Sequence, residues 1–243
     1  MKEKKIGNNI IHFETINSTN SYAKQILNKS PVEGTIILAD IQTQGRGRKN
    51  RKWSSPRGGL WFSIILYPNI PYEKGMLITM AVSISISQAV EEITNIRPII
   101  KWPNDLLIDG KKVCGILTEF DTTGNIKGCV VGVGINVNNY IDCDLKEIAT
   151  SLSNKYGSKI NLKNLLQSIL RNFNNNYKKI TCQNFQAIRE SWFKYSKIIG
   201  KKIKVINEEM MVGTVVDIDE NGNIILQIKD KKKKISNGDI QFI

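Results

Sequence analysis

The segment Gln42-Thr43-Gln44-Gly45-Arg46-Gly47-Arg48-Lys49-Asn50-Arg51-Lys52-Trp53 holds the densest chemistry in the chain. Glycines at 45 and 47 let the backbone approach a ligand closely and adopt positive φ. The Arg46 and Arg48 guanidinium forks fit the oxygens of a phosphate or an acyl phosphate. An arginine-rich nucleic-acid segment uses the same residue types, but in repeats with aromatic partners; this is a single copy between strand-like runs. A second group is Lys101-Trp102-Pro103-Asn104-Asp105, followed by Lys112 and Gly115. Asp109-Gly110 between apolar runs signals a type I′ hairpin, which would fold Lys112 back towards Asp105. A carboxylate there can hold Mg²⁺ or orient a ribose, and an ammonium can neutralise a ligand carboxylate or phosphate. Taken alone, a Lys and an Asp flanking a hairpin are more often a surface ion pair.

Other routes to phosphate or nucleophilic chemistry are closed. Gly132-Val133-Gly134-Ile135 lacks the third glycine and following helix of a dinucleotide fingerprint, and no P-loop motif is present. His12 is the only histidine and sits in the strand-like run Ile10-Ile11-His12-Phe13, which reads as structural rather than as a general base. Cys114, Cys129, Cys143 and Cys182 form no Cys-x-x-Cys pair, so they read as buried or unpaired thiols.

These residues need a scaffold. Strands are expected at Ile10 to Glu14, Thr35 to Ile41 and Leu60 to Tyr67, with a helix from an N-cap at Ser18 to Lys29. Between them, Gln42 to Gly59 has no apolar periodicity and reads as a long functional or mobile loop. Glu73 to Ile93 reads as an amphipathic core helix. Ile99 to Lys101 starts a strand, and Leu106 to Ile108, Val113 to Phe120 and Cys129 to Val137 follow as strands, with a turn at Thr122 to Asn125 before the last. Helices are expected at Leu162 to Ile180 and Phe185 to Tyr195. After Gly200 short β runs (Ile203 to Ile206, Val212 to Ile218, Ile224 to Ile228, Ile235 to Phe242) have the pattern of a small five-stranded barrel packed on the larger part.

The 243 residues, at roughly 150 per domain, suit one domain with a smaller appendage. Hydrophobic residues at 41% and charged residues at 23% exclude collagen-like, coiled-coil and disordered chains. No uninterrupted apolar run approaches a membrane span and Met1 to Asn9 is polar, so a cytoplasmic protein with no membrane partner is expected. The net charge of +13 favours an anionic partner. Six basic residues and no acid lie between Gly45 and Arg57, whereas eight basic and seven acidic residues balance in Gly200 to Ile243. The run Lys231 to Lys234 therefore reads as a solvated edge or hairpin.

Taken in order, Ser18-Thr19-Asn20, Gln42, Gly45-Arg46-Gly47-Arg48 with Arg51 and Trp53, Lys101 to Asp105 with Lys112 and Gly115, and Gly132 to Asn138 resemble the motif set of biotin protein ligases. The resemblance spans nearly the whole chain. It implies an α+β fold: a class II synthetase-like catalytic domain at 1–198 with a mixed, mainly antiparallel sheet and helices, plus a small SH3-like β-barrel at 199–243. It also implies a two-step reaction, in which biotin and ATP with Mg²⁺ give biotinyl-5′-AMP and a lysine of a biotin carboxyl carrier protein then takes the biotin. Neither step needs an enzyme nucleophile, in keeping with the residues present.

By the same resemblance, Ser18, Thr19 and Gln42 would bond the biotin ureido group, and Gly45 would belong to the biotin site. Arg46 and Arg48 would grip carboxylate, phosphates and intermediate. Trp53 would close the biotin pocket, Gly115 would pass against the bicyclic ring, and Lys112 would contact the activated carboxylate and the nucleotide phosphate. Asn136 would lie beside the adenine, while Asp105 would assist the metal or the acceptor lysine; metal ligands beyond it are not assigned. Some family members carry an N-terminal helix-turn-helix domain and repress transcription. Here Ser18 lies close to Met1, so no specific DNA binding is expected. Oligomeric state stays open, a homodimer included. A lipoate or octanoate ligase is the main rival, opposed by Gly45 to Arg48 and Trp53; a basic nucleic-acid-binding protein is the second.

Overall fold

The computed structural model describes residues 5–121, 128–207 and 210–243. The turn expected at Thr122 to Asn125 lies outside the described residues. Two sheets organise the chain. The larger has seven strands in the order β1-β2-β3-β7-β6-β5-β4, formed by Ile10–Ile16 (β1), Ile36–Gln42 (β2), Leu60–Leu66 (β3), Ile99–Lys101 (β4), Asp105–Ile108 (β5), Lys111–Asp121 (β6) and Gly128–Ile135 (β7). Only β1 and β2 run parallel; the other neighbours are antiparallel. Asp109 and Gly110 both have positive φ (49° and 76°), as the type I′ turn between β5 and β6 requires.

The central strands β3 and β7 are buried at every position, because both faces of the sheet are covered. Their side chains alternate. Phe62, Ile64 and Leu66 with Val131, Val133 and Ile135 join the main core. Ile65 and Val130 pack with Ala23 and Leu27 of helix α1 (Thr19–Leu27) on the other face. That second face is where the small residues fall: Gly115 pairs with Gly134, Gly134 with Trp61, Leu117 with Gly132 and Gly132 with Ser63.

On the main-core face lies α2, Met76–Thr94, backed by α4 (Leu162–Thr181) and α5 (Phe185–Ser196). The amphipathic reading of this helix is corrected by its burial: Leu77 to Ser87 is a continuous buried run, and Ala89, Val90 and Thr94 are buried as well. The helix starts at Met76 rather than Glu73, after a short 3₁₀ turn at Tyr72–Lys74. Ser85, Ser87 and Thr94 survive in this setting by donating to carbonyls one turn back, at 2.6–2.9 Å. Tyr72–Thr94 is long and apolar enough, by length and composition alone, to cross a membrane, but packing inside the protein accounts for that apolarity. A short helix α3 at Leu152–Tyr156, capped by Ser151, was not expected from the sequence.

The second sheet is antiparallel, with order β11-β10-β9-β8-β12 from Lys202–Ile206 (β8), Met210–Ile218 (β9), Ile224–Ile228 (β10), Lys231–Ile235 (β11) and Asp239–Phe242 (β12). The expected run Ile235 to Phe242 is in fact two strands broken at Ser236–Gly238, and Lys231–Lys234 forms an edge strand whose four lysines are exposed. Charged edges of this kind resist pairing with other chains. This sheet packs on the larger part: Trp102 Nε1 donates to the Gly222 carbonyl at 3.0 Å in a buried contact, and Arg189 donates to the Ile218 carbonyl. Its apolar residues Ile203, Val205, Val215, Ile224 and Leu226 belong to the main core.

Candidate active site

The small-residue face of the large sheet forms the floor of a cavity of about 310 Å³. Its lining includes Ser18, Thr19, Gln42, Arg46, Arg48, Trp53, Asp105, Lys112, Gly115 and Asn136, so ten of the eleven residues singled out from sequence meet in one place. Gly45 is the exception. It lies behind the wall, where a Cβ would stand 2.4 Å from the Trp53 carbonyl oxygen and 2.7 Å from Ser55 Oγ. Its role in the structure is to let two backbone segments cross.

One end of the cavity is polar. Ser18 caps α1, its Oγ accepting from Ser21 N at 3.4 Å. Thr19 donates from N and Oγ1 to Gln42 Oε1 at 2.8 and 3.0 Å, and Gln42 Nε2 donates to Ser55 Oγ at 2.9 Å. Ser63 Oγ is 2.8 Å from Thr19 Oγ1 and 2.6 Å from Asn20 Oδ1. Asn20 lies directly on Gly132, where a Cβ would come within 2.1 Å of its Oδ1. Its Nδ2 donates to Glu119 Oε2 at 2.9 Å.

The middle of the cavity is flat and apolar. The Trp53 indole lies on the pair of glycines: a Cβ on Gly134 would be 2.4 Å from Nε1, and one on Gly115 3.1 Å from Cζ3. Trp53 Nε1 is buried without a hydrogen-bond partner. Trp61 meets this ring edge-on, with centroids 6.5 Å apart.

The other end is charged. Lys112 Nζ stands 2.7 Å from Asp105 Oδ1 and 5.0 Å from the centroid of the Trp53 ring. The ammonium is a close charge partner of this buried oxygen but not aligned to it as a hydrogen-bond donor. The Lys112 backbone is pinned by Ile148 and Thr150, with Lys112 N donating to Ile148 O at 2.8 Å and Thr150 N to Lys112 O at 3.0 Å. Asn136 is buried; its Oδ1 accepts from Asn139 at 3.2 Å and its carbonyl from Leu152 N at 2.9 Å. The stretch from Asn139 to Ala149 thus forms the wall beside Asn136 and Lys112.

The segment from Gln42 to Gly59 is not the structureless loop expected from its composition. It turns through Lys49 and Asn50, both at positive φ, and closes with Gly47 N to Arg51 O at 2.7 Å and Trp53 N to Gly45 O at 2.9 Å. The turn was hidden because neither central residue is glycine. Arg46 Nη2 lies 3.6 Å from Glu119 Oε2, and Arg48 Nη1 donates to Asn104 Oδ1 at 3.0 Å. Burial lowers the Arg48 guanidinium from its ordinary value, against the charges of Asp239 and Asp105, which raise it. Burial alone would raise Glu119, but hydrogen bonds from Asn20 and Lys24 and the charges of Lys24 and Arg46 outweigh it and hold the carboxyl low.

Asn20, Asn104, Glu119 and Asp239 join this site without a role expected from the sequence. Asn20 and Asn104 stood inside quoted motifs and could have been found there. Asn104 continues the pairing of β6, donating to Ile116 O at 2.8 Å while its carbonyl accepts from Ile116 N at 2.9 Å. Glu119 follows from strand alternation once Gly115 is placed. Nothing local marks Asp239, 134 positions beyond Asp105. Among the described residues no cluster of three or more His, Cys, Asp or Glu could hold a metal.

Residues 12–136 match the biotin/lipoate A/B protein ligase family, and residues 198–243 match the biotin protein ligase C-terminal domain. The bifunctional ligase/repressor BirA of Bacillus subtilis is 37% identical over 248 aligned positions, covering all of this chain and 76% of that protein. A biotin--[acetyl-CoA-carboxylase] ligase of Paracoccus denitrificans is 27% identical over 79% of this chain and 83% of its own length. The structure of a biotin protein ligase from Aquifex aeolicus in complex with biotin and ATP superposes with a TM-score of 0.85 at 32% identity, covering 97% of this chain and 99% of that one.

Proposed function

We infer what this chain does from what it is: it belongs to the biotin/lipoate A/B protein ligase family. It is a biotin protein ligase, which forms biotinyl-5′-AMP from biotin and ATP and transfers the biotin to a carboxylase. In the first step a biotin carboxylate oxygen attacks the α-phosphorus and pyrophosphate leaves. In the second, the amine of an acceptor lysine on a carrier domain attacks the acyl carbon and AMP leaves. Both are displacements between substrates, so the protein must bind, align and neutralise charge rather than supply a nucleophile.

The observation that carries the reading of the site is its gradient: hydrogen-bonding groups at one end, with Arg46 beside Glu119, a glycine-floored apolar slot in the middle, and Arg48 and Lys112 with Asn104 and Asp105 at the other. Ser18, Thr19 and Gln42 suit the urea-like donors and acceptors of the ureido ring. Gly115 and Gly134 leave room for the bicycle where the Trp53 indole rests in this structure, so that ring must lift to admit biotin and then covers it. Arg48 and Lys112 then meet the carboxylate and the α-phosphate, where negative charge grows during attack, and Arg46 joins them on leaving Glu119. Asn136 and the neighbouring Asn139 to Ala149 wall suit the adenosine side. Asp105 is held for either a metal or the incoming amine. Because it is one carboxylate already paired with Lys112, the residues fit Mg²⁺ entering with the phosphates and keeping few protein ligands. That ion would supply neutralisation of the leaving pyrophosphate.

The division into a catalytic domain at 1–198 and a barrel at 199–243 belongs to this reading, as does a cytoplasmic location, where ATP and the carrier are available. So does the absence of a specific DNA partner: the basic loop faces the cavity, which accounts for its charge without nucleic acid. The test is ATP to pyrophosphate exchange without carrier protein, with biotin, lipoate and octanoate offered separately. Exchange supported by biotin is expected; exchange with lipoate or octanoate and not with biotin would refute the assignment.

A further inference from the structure

Three cations of the arginine loop converge on one carboxylate that the large sheet does not supply. Arg51 Nη2 is 2.5 Å and Lys49 Nζ 3.4 Å from Asp239 Oδ2, while Arg48 Nη1 is 3.7 Å from Oδ1. Arg48 Nη2 also donates to the Gly238 carbonyl at 3.2 Å. Asp239 opens β12 of the C-terminal sheet and lines the same cavity as Lys112 and Asp105. Burial alone would raise its carboxyl, but the Arg51 hydrogen bond and the charges of Arg51, Lys49 and Arg48 outweigh it, so Asp239 is an anion at neutral pH.

Building on the ligase reading above, we propose that Asp239 is a positioning residue that stands in for substrate phosphate oxygens: it gathers Arg48, Lys49 and Arg51 at the cavity mouth and yields them to a polyphosphate. One carboxylate cannot neutralise three cations, so the cluster keeps a net positive charge for an anion to claim. A pyrophosphate group carries more charge and more acceptor oxygens than a carboxylate and wins that competition. Once it is bound, Asp239 becomes a like-charged neighbour that favours its departure. Linkage makes the effect reciprocal: Asp239 weakens polyphosphate binding by the factor by which polyphosphate loosens the tie between loop and C-terminal sheet. Glu119, the partner of Arg46, differs because Asn20 and Lys24 hold it in place independently.

The experiment is calorimetric titration of the full chain and of Asp239→Asn with inorganic pyrophosphate at low ionic strength. The variant is expected to bind about 3- to 10-fold more tightly, a gain sized for exposed ion pairs and shrinking as salt rises. Asp239→Glu is expected to bind as the parent does. An unchanged or weaker affinity in Asp239→Asn would mean the residue is only an anchor and would overturn the proposal. If that variant fails to fold, hydrogen exchange on the parent protein decides. Pyrophosphate should slow exchange in the 46–53 loop and speed it in β12; slower or unchanged exchange in β12 overturns the proposal. Biotin-dependent exchange by the parent tests the ligase reading separately, so the two can fail independently.

Discussion

Replacing Lys112 by Ala separates a catalytic cation from half of a surface ion pair. Lys112 and Asp105 are 2.7 Å apart with side chains 31% and 24% exposed. At an effective dielectric of about 20 the bare attraction is several kcal/mol, but solvent screening and side-chain entropy reduce the net contribution of such a pair to about 1 kcal/mol. The folded state should therefore survive Lys112→Ala with a small shift in melting temperature. The reaction should not. An ammonium placed where charge develops acts like an oxyanion donor, whose removal costs about 3 kcal/mol, or a fall of about 10²-fold or more in rate. Single-turnover formation of biotinyl-5′-AMP, with biotin affinity measured by titration, reads the two effects apart. The double variant Lys112→Ala/Asp105→Asn sharpens the test, because it removes the stranded carboxylate. If the lysine served only to neutralise Asp105, the double variant would match Asp105→Asn alone; adenylation by Lys112→Ala at the parent rate would refute the assignment outright.

Three further outcomes follow from the geometry. Gly132→Ala puts a Cβ 2.1 Å from Asn20 Oδ1 and should break the bonds of Asn20 to Ser63, Glu119 and Leu117, costing about 2–4 kcal/mol in urea unfolding; a loss below 0.5 kcal/mol, of the size usual for a neutral surface change, would show that Asn20 has room to move. Trp102→Phe leaves the Gly222 carbonyl without its buried donor and should cost about 1–3 kcal/mol, checked by the same assay. Glu119 has a depressed folded value, so its stabilisation is present above its unfolded value near about 4.3 and is lost as pH falls through the folded one. Glu119→Gln should accordingly flatten the acid limb of the stability curve, and an identical acid limb would exclude the contribution.

What was legible in the sequence was mostly local. Asp109-Gly110 fixed a hairpin by its backbone demands, and the Ser18 cap, the 162–181 helix and the 185–196 helix fell within a residue or two of their observed limits. Arg46, Arg48, Asp105 and Lys112 stand out by residue type and spacing, whereas Ser18, Thr19, Gln42, Trp53 and Asn136 enter only through the resemblance to biotin protein ligases. The helix Met76–Thr94 was mistaken for amphipathic because Ser and Thr at several positions imitate a polar face, whereas they bond to their own backbone. The turn through Lys49 and Asn50 carried no glycine. Asp239 was illegible for a different reason: its meaning depends on the packing of the second sheet against the loop, and no spacing rule reaches that far.

The burial of α2 has a consequence for how the molecule comes apart. This helix touches the large sheet, α4 and α5, and its first turn meets the C-terminal sheet, where Met76 and Met80 pack against Gly222. None of these layers can leave without exposing a helix that has almost no polar side to show water. Melting of the appendage and melting of the main body are thereby tied together. The chain should unfold in a single cooperative transition despite its two sheets, with calorimetric and van't Hoff enthalpies in agreement.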